Sequence, residues 1–419
     1  MHSPLDPFGS RPTSRRTALR VGAVVAAAAL AMSACGSRGS DTGSGGTTTA
    51  KIAKIGVIAP LSGDLSALGL GIQNSVDLAI KQANAAGAIP GWTLQADPQD
   101  DQAAPDTGKN AASALSSDAD VIGVVGTLNS SVAQTVAPVL ASAHIVQVSP
   151  ANTNPSLTQG PGFATAPKRV YDTYFRTCTT DSIQGPFAAR YVYDTLKITK
   201  VATINDKKTY GQGLAAAFTT EFKKLGGTVA AAETINPDDK TFGPVISKIK
   251  PSKPELLYYG GEFPQAAPLS LQMKQSGLKI PLMGGDGIYS TDYIKLAGGK
   301  TGTGDLATSV GAPTDTLASA KSFVAAYKAA GYKEAYEAYG AYAYDAANAI
   351  ISALKVSLKS ASSATDARHA TVDAMKDVSF DGVTGKVAFD EFGDTTSKVL
   401  TVYKNAGTAW VPAKTDTFK

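Results

Sequence analysis

The stretch that decides the fold is VIGVVGTLNSSVAQTVAPVLASAHIVQVSPANT, Val121 to Thr153. Val121–Val125 is an unbroken run of apolar and small residues, the pattern of a strand buried on both faces. A helical pattern follows near Val132–Ser142, and His144–Val148 returns to strand character. Strands that alternate with helices in this way imply a parallel sheet with helices on both faces. Ser149-Pro-Ala-Asn-Thr153 closes the unit with turn chemistry directly behind a strand.

The alternation extends in both directions. Upstream, Lys54–Ala59 reads as a strand. Ile72, Val76, Ala79, Ile80 and Ala83 then recur at helical spacing over Gly71–Ala86, with Gly87 placed to end the helix. A strand at Thr93–Ala96 and a helix at about Thr107–Ser117 lead into Val121. Downstream, a second doubly wound unit is expected. Its helices are Gln184–Leu196, Gly211–Leu225, Phe242–Lys248 and Pro264–Ser276, and its strands are Val201–Ile204, Thr228–Thr234, Leu256–Tyr259 and Ile280–Met283. Leu214, Phe218, Phe222 and Leu225 form one stripe of the second of these helices, which Gly226 ends. Ser319–Ala330 and Glu334–Leu358 are helical, and the tail around Val399–Tyr403 and Ala409–Val411 reads as a β-hairpin. No close internal repeat is visible. The 419 residues suffice for two such α/β domains.

Charge is low, and most of the net +4 comes from Arg11, Arg15, Arg16 and Arg20 in the first 35 residues. A nearly neutral body without a basic cluster argues against nucleic-acid binding. Residues 1–35 read as an export signal: Arg15-Arg16 precedes an apolar run, Val21–Ala34, shorter than a spanning helix needs. The arginine pair resembles a twin-arginine signal. Met32-Ser33-Ala34-Cys35 resembles a lipobox, which makes Cys35 the expected lipidation site and the outer face of the cell membrane the expected location. Residues 36–50, GSRGSDTGSGGTTTA, read as a flexible tether. Only Cys178 then remains, as a buried thiol.

An enzyme is not indicated. Of three histidines, His2 lies in the export signal and His144 and His369 are isolated, and no metal-binding or nucleophile motif is present. Neither a metal nor a cofactor is expected. The one dinucleotide-like match, Gly211-Gln-Gly213-Leu-Ala-Ala216 with Glu233 downstream, keeps an NAD-dependent oxidoreductase as the alternative of a different class. Against it, Asn205–Tyr210 separates the glycines from the strand, and export removes the chain from the cytosolic cofactor pool. Tyr336, Tyr339, Tyr342 and Tyr344 are expected to pack against a sheet or a neighbouring domain, not to form a ligand box.

Polar and small residues instead gather after the strands, where open α/β sheets bind ligands. Thr127–Ser131, Ser149–Thr153, Tyr210, Gly260-Gly261-Glu262 and Gly284–Gly287 all fall there. Ser130 begins a helix, which suits a carboxylate. Together these loops favour a ligand cleft between two lobes.

At these residues the chain resembles the branched-chain amino-acid-binding proteins of bacterial ABC importers, with the type I periplasmic-binding fold. The resemblance spans about residues 51–415. It is carried by Ala59-Pro-Leu-Ser-Gly63, Ser149–Thr153, Asp181-Ser-Ile-Gln-Gly-Pro186, Asp206–Gly213, Tyr258-Tyr-Gly-Gly261 and Ala341-Tyr-Ala-Tyr-Asp345. It implies two lobes, 51–180 plus 311–393 and 181–310 plus 394–419, joined by three hinge crossovers near Asp181, Val310 and Asp394. The carboxylate contacts of an amino acid fall on Ser130 and Thr153, with the main chain of Ala151. Its ammonium contacts fall on the Ala151 carbonyl, the Thr153 hydroxyl and Asp286. Tyr210 matches the aromatic that closes over the ligand, and Asn152 is a further candidate between two of these residues. Glu262 and Leu68 depart from the pattern, where aromatics are common. Glu262 is expected to turn to solvent; if it faces the ligand, it favours one with an extra donor or positive charge. The expected partners are a permease–ATPase complex and the membrane, with the protein a monomer. Amides, urea and aromatic acids are the alternative ligands within this class.

Overall fold

The apolar strands fall into two separate sheets in the computed structural model, which describes residues 50–419. The export signal, Cys35 and His2 lie outside the described residues, as does the tether before Ala50.

The first sheet contains β1 (Lys51–Ala59), β2 (Trp92–Asp100), β3 (Val121–Gly126), β4 (Val146–Ser149) and β5 (Tyr174–Arg176), in the order β2-β1-β3-β4-β5. All its pairings are parallel. Helices Ser66–Ala85 and Gly340–Ser357 pack together on one face, burying Ile72, Val76, Ile350 and Leu354 with Ile55, Val57 and Ile122. Helices Pro105–Ser117 and Ser130–Ser142 cover the other face, where Leu115, Val132 and Val136 meet Ile58, Val121 and Val124. Burial on both sides explains why β3 carries no polar alternation.

The second sheet contains β6 (Lys200–Asn205), β7 (Thr228–Thr234), β8 (Leu256–Gly260), β9 (Leu282–Gly284) and β10 (Leu306–Ser309). A two-stranded hairpin, β11 (Ser379–Gly382) with β12 (Gly385–Ala388), stands apart. The terminal hairpin, β13 (Val399–Asn405) and β14 (Trp410–Thr417), then joins the second sheet, whose order is β14-β13-β10-β9-β8-β6-β7. Its parallel part, β7-β6-β8-β9-β10, winds as the first sheet does, although no sequence repeat announces it. The sheet is not wholly parallel, because β13 runs antiparallel to β10. The stripe of Leu214, Phe218 and Phe222 is buried against Leu256, Tyr258 and Met283 as its spacing implied.

The chain passes between the sheets after β5, after β10 and again before β13. Between the last two passages it returns to the first sheet, which helices Gly340–Ser357 and Arg368–Met375 contact through β3 and β4. At the outer passages Arg176 pairs with Asp394, Nε to Oδ1 at 2.6 Å, both side chains buried. His144 takes a positive φ of 53° before β4, and its ring lies against that of His369, centroids 3.7 Å apart and tilted by 33°.

Candidate ligand-binding site

Each side chain that can meet a ligand stands where a strand ends. Behind β3, the carbonyl of Asn129 accepts from the amides of Val132 and Ala133, which opens helix Ser130–Ser142. Ser130 is its first residue and is buried, and its hydroxyl makes no hydrogen bond to the described residues. Behind β4, the Ser149 hydroxyl accepts from the amides of Ala151 (3.2 Å) and Asn152 (2.8 Å) and donates to the Thr127 carbonyl. That arrangement holds the 149–153 loop in one conformation.

Asn152 serves this scaffold. Its amide donates to the Leu128 carbonyl at 2.9 Å, its side-chain oxygen accepts from Tyr174, and its carbonyl accepts from Arg176. Thr153 is fully buried and its hydroxyl finds no partner. Asp181, whose amide donates to the Thr153 carbonyl at 2.8 Å, also keeps both carboxylate oxygens unpartnered. Burial raises its carboxyl well above the ordinary value, and the charge of Asp286 adds to this.

In the second sheet, Tyr210 is the second residue of helix Thr209–Lys224. Its hydroxyl donates to Asp286 Oδ1 at 2.8 Å and accepts from the Gly287 amide at 3.1 Å. Asp286 lies in a single turn behind β9 and also accepts from Gln184 (2.9 Å) and Tyr339 (2.8 Å). Burial pushes its carboxyl up, while these three neutral donors pull it down. No cation pairs with it among the described residues.

Glu262 does not turn to solvent. It is only 4% exposed. Its Oε2 pairs with Lys208 Nζ at 2.7 Å, and its Oε1 accepts from Asn129 Nδ2 at 2.6 Å. A buried carboxylate needs such partners, and the β6 and β3 loops supply them.

These loops close on one small cavity, with about 10 Å³ of water-accessible space, lined by Leu68, Leu128, Asn129, Ser130, Ala151, Tyr210, Glu262, Asp286, Gly287 and Tyr339. Ser130, Ala151, Tyr210, Glu262 and Asp286 therefore meet on it, whereas Asn152 and Thr153 are not among the residues that line it. Tyr339, expected to pack, lines the site instead. The helix begins only at Gly340, so Tyr339 precedes its first turn, free to reach Asp286. A larger surface groove, walled by Leu196, Lys279, Gly304 and Lys404, lies at the opposite ends of the second sheet's strands and gathers no such set.

The dinucleotide-like turn has no room for a phosphate. A Cβ on Gly211 would stand 2.2 Å from Asp206 Oδ1 and 2.5 Å from the Gly260 carbonyl; one on Gly213 would meet Asn154 Nδ2 at 2.5 Å. Both glycines are spent on close packing, and Glu233 pairs with Lys248 on the surface.

Two α/β lobes closed over a buried polar cavity define a protein that sequesters a small solute. The chain belongs to the periplasmic binding protein family, which matches residues 53–406. It is 34% identical to the Leu/Ile/Val-binding protein BraC3 of Rhizobium johnstonii over 351 residues, 84% of this chain and 90% of that one. Brucella abortus Leu/Ile/Val-binding protein homolog 1 is 33% identical over the same length, covering 84% of this chain and 89% of its own. The structure is similar to that of the branched-chain amino-acid transporter substrate-binding protein LivJ of Streptococcus pneumoniae, solved in complex with isoleucine. There the TM-score is 0.77 at 26% identity, over 88% of this chain and all of that one. The leucine-binding protein LivK of Thermotoga maritima gives a TM-score of 0.77 at 25% identity, over 87% and 99% of the two chains. The family is extracytoplasmic, and no helix among the described residues is long and apolar enough to cross a membrane.

Proposed function

We propose that this chain is the solute-binding component of an ABC importer, capturing a branched-chain or related small amino acid between its lobes and delivering it to a permease–ATPase complex. The observation that carries the ligand class is Asp286. Its carboxylate is buried on the cavity, accepts three neutral hydrogen bonds, and has no positive partner among the described residues. A ligand ammonium supplies that charge. Ser130, at the start of its helix, and the Ala151 main chain then receive the carboxylate across the cavity. The Thr153 hydroxyl, buried and unpartnered, is a further candidate for the carboxylate or ammonium, and Tyr210 sets Asp286 in place.

In this reading the lobes are 51–180 plus 311–393 and 181–310 plus 394–419, and they close as a hinge. The protein performs no covalent chemistry and acts as a monomer. Export by the twin-arginine route and lipid on Cys35 hold it at the outer face of the membrane. A thermal-shift screen with amino acids, amides and aromatic acids tests the ligand class. Ligand at about 100 times its dissociation constant adds about 2.7 kcal/mol to stability. The amino-acid reading fails if no amine-bearing compound raises the melting temperature.

A further inference from the structure

The zwitterion-binding groups leave one polar corner of the cavity unused, where Asn129 and Glu262 face each other. Asn129 is 2% exposed, and its Nδ2 is committed to Glu262. That bond uses one of the two N–H groups, fixes the orientation of the amide and leaves Oδ1 without a donor. Oδ1 is buried and has no hydrogen-bond partner. Each oxygen of Glu262 accepts one bond, from Asn129 or Lys208, and retains a lone pair. The corner therefore presents unsatisfied acceptors, Asn129 Oδ1 and the Glu262 oxygens, beside the aliphatic walls of Leu68 and Leu128.

Its charge is already met. Lys208 lies 2.7 Å from Glu262, and the pair is mostly buried. Asp206, on the same side, is fully buried; burial and the charge of Glu262 push its carboxyl up, so it is held toward the neutral form. A second positive charge on the ligand would compete with Lys208. A purely aliphatic side chain would leave Asn129 Oδ1 unpaired and cover the ion pair without a bond in return, which is costly. A neutral side chain bearing an O–H or N–H donor meets both demands.

We infer that the Asn129–Glu262–Lys208 corner selects, among small amino acids, those with a neutral hydrogen-bond donor on the side chain. The inference rests on the proposed amino-acid site and narrows it. Sites built to hydrogen-bond a ligand group discriminate strongly against the analogue that lacks it.

L-Threonine and L-valine have nearly the same shape and differ in that donor, and L-asparagine against L-leucine makes a second pair. Isothermal titration of the full chain with all four, and with L-lysine, tests the proposal. The expected result is threonine and asparagine each binding at least about tenfold tighter than the aliphatic partner, with lysine weaker than either. Asn129→Val should shrink the threonine preference toward unity while valine still binds. Valine or leucine binding as tightly as its polar counterpart, or lysine binding tightest, overturns this inference and leaves the amino-acid reading standing. If none of the five binds, both fall. The wild-type comparison decides the matter even if the variant does not fold.

Discussion

The hydroxyl of Tyr339, just before the helix that covers the first sheet, donates to Oδ2 of Asp286 behind β9 of the second, at 2.8 Å. This bond joins the two halves of the molecule directly across the cavity. A hydrogen bond to an ionised acceptor is worth about 1.5–3 kcal/mol. Tyr339→Phe should therefore weaken ligand binding by about tenfold or more, chiefly by penalising the closed form. Calorimetric titration checks this, and an unchanged dissociation constant would mean the bond plays no part in closure.

Asp286 itself should behave differently. An amide in its place keeps the volume and cannot balance an ammonium, so Asp286→Asn is expected to cost more than about tenfold in amino-acid affinity. The ligand-free protein should not suffer. Burial raises the carboxyl of Asp286, and an acid whose folded value lies above its unfolded one costs stability as pH rises through the folded value. The variant should thus match or exceed the wild-type melting temperature at neutral pH while losing ligand response.

Most of this architecture was legible because its signals are local. Apolar runs such as Val121–Val125 announced strands, and Gly87, with a φ of 56°, marked a helix end. Strand β10, Leu306–Ser309, escaped because it is short and carries no alternation; the sheet around it makes it a strand. The site divides in the same way. Loop positions behind strands pointed to Ser130, Ala151, Tyr210 and Asp286. The engagement of Glu262 depends on Asn129 and Lys208, residues brought from two other loops by the fold, so its surroundings could not be read from its neighbours in sequence. Tyr339 was hidden by a helix pattern read as beginning at Glu334, whereas Glu337 adopts a left-handed φ of 49° and the helix starts after it.

Asp101 offers a test of burial away from the cavity. It is fully buried, its Oδ2 has no partner, and burial lifts its carboxyl from 3.8 to about 7. The folded state then binds a proton that the unfolded state does not, so stability on this account falls as pH rises from about 4 through 7. Asp101→Asn retains the acceptor that bonds the Ala103 amide. It should stabilise the protein by about 1–3 kcal/mol above pH 7, with the gain shrinking to nothing near pH 4. Urea unfolding at several pH values measures it. A gain that is flat across that range would contradict the elevated carboxyl.

Arg176 and Asp394 form a buried pair where the chain passes between the sheets. Arg176 also donates to the carbonyls of Asn152 and Asn154 and to Thr158. Removing one partner of such a pair strands the other charge, at about 3–5 kcal/mol. Arg176→Met should show that loss in chemical denaturation, and replacing Asp394 with Leu in the same chain should recover part of it. If the double variant is no more stable than the single, the stranded carboxylate is not the source of the cost.

Gly213 separates closure from folding. A Cβ there would approach Asn154 Nδ2 to 2.5 Å, and that amide donates to the Thr209 carbonyl at 2.9 Å, linking the 149–154 loop to the helix of the second sheet. The glycine has no positive φ, so alanine suits its helix and even raises intrinsic helix propensity by up to about 1 kcal/mol. The clash arises only when the two lobes meet. Gly213→Ala should therefore leave the ligand-free melting temperature unchanged or slightly higher, while weakening ligand affinity several-fold through a penalty on the closed form. Gly211→Ala is the contrasting case, because its Cβ would meet the Gly260 carbonyl within the same lobe. It should lower stability whether or not ligand is present. Equal effects of the two substitutions on ligand-free stability would show that Gly213 serves packing within its lobe and not closure.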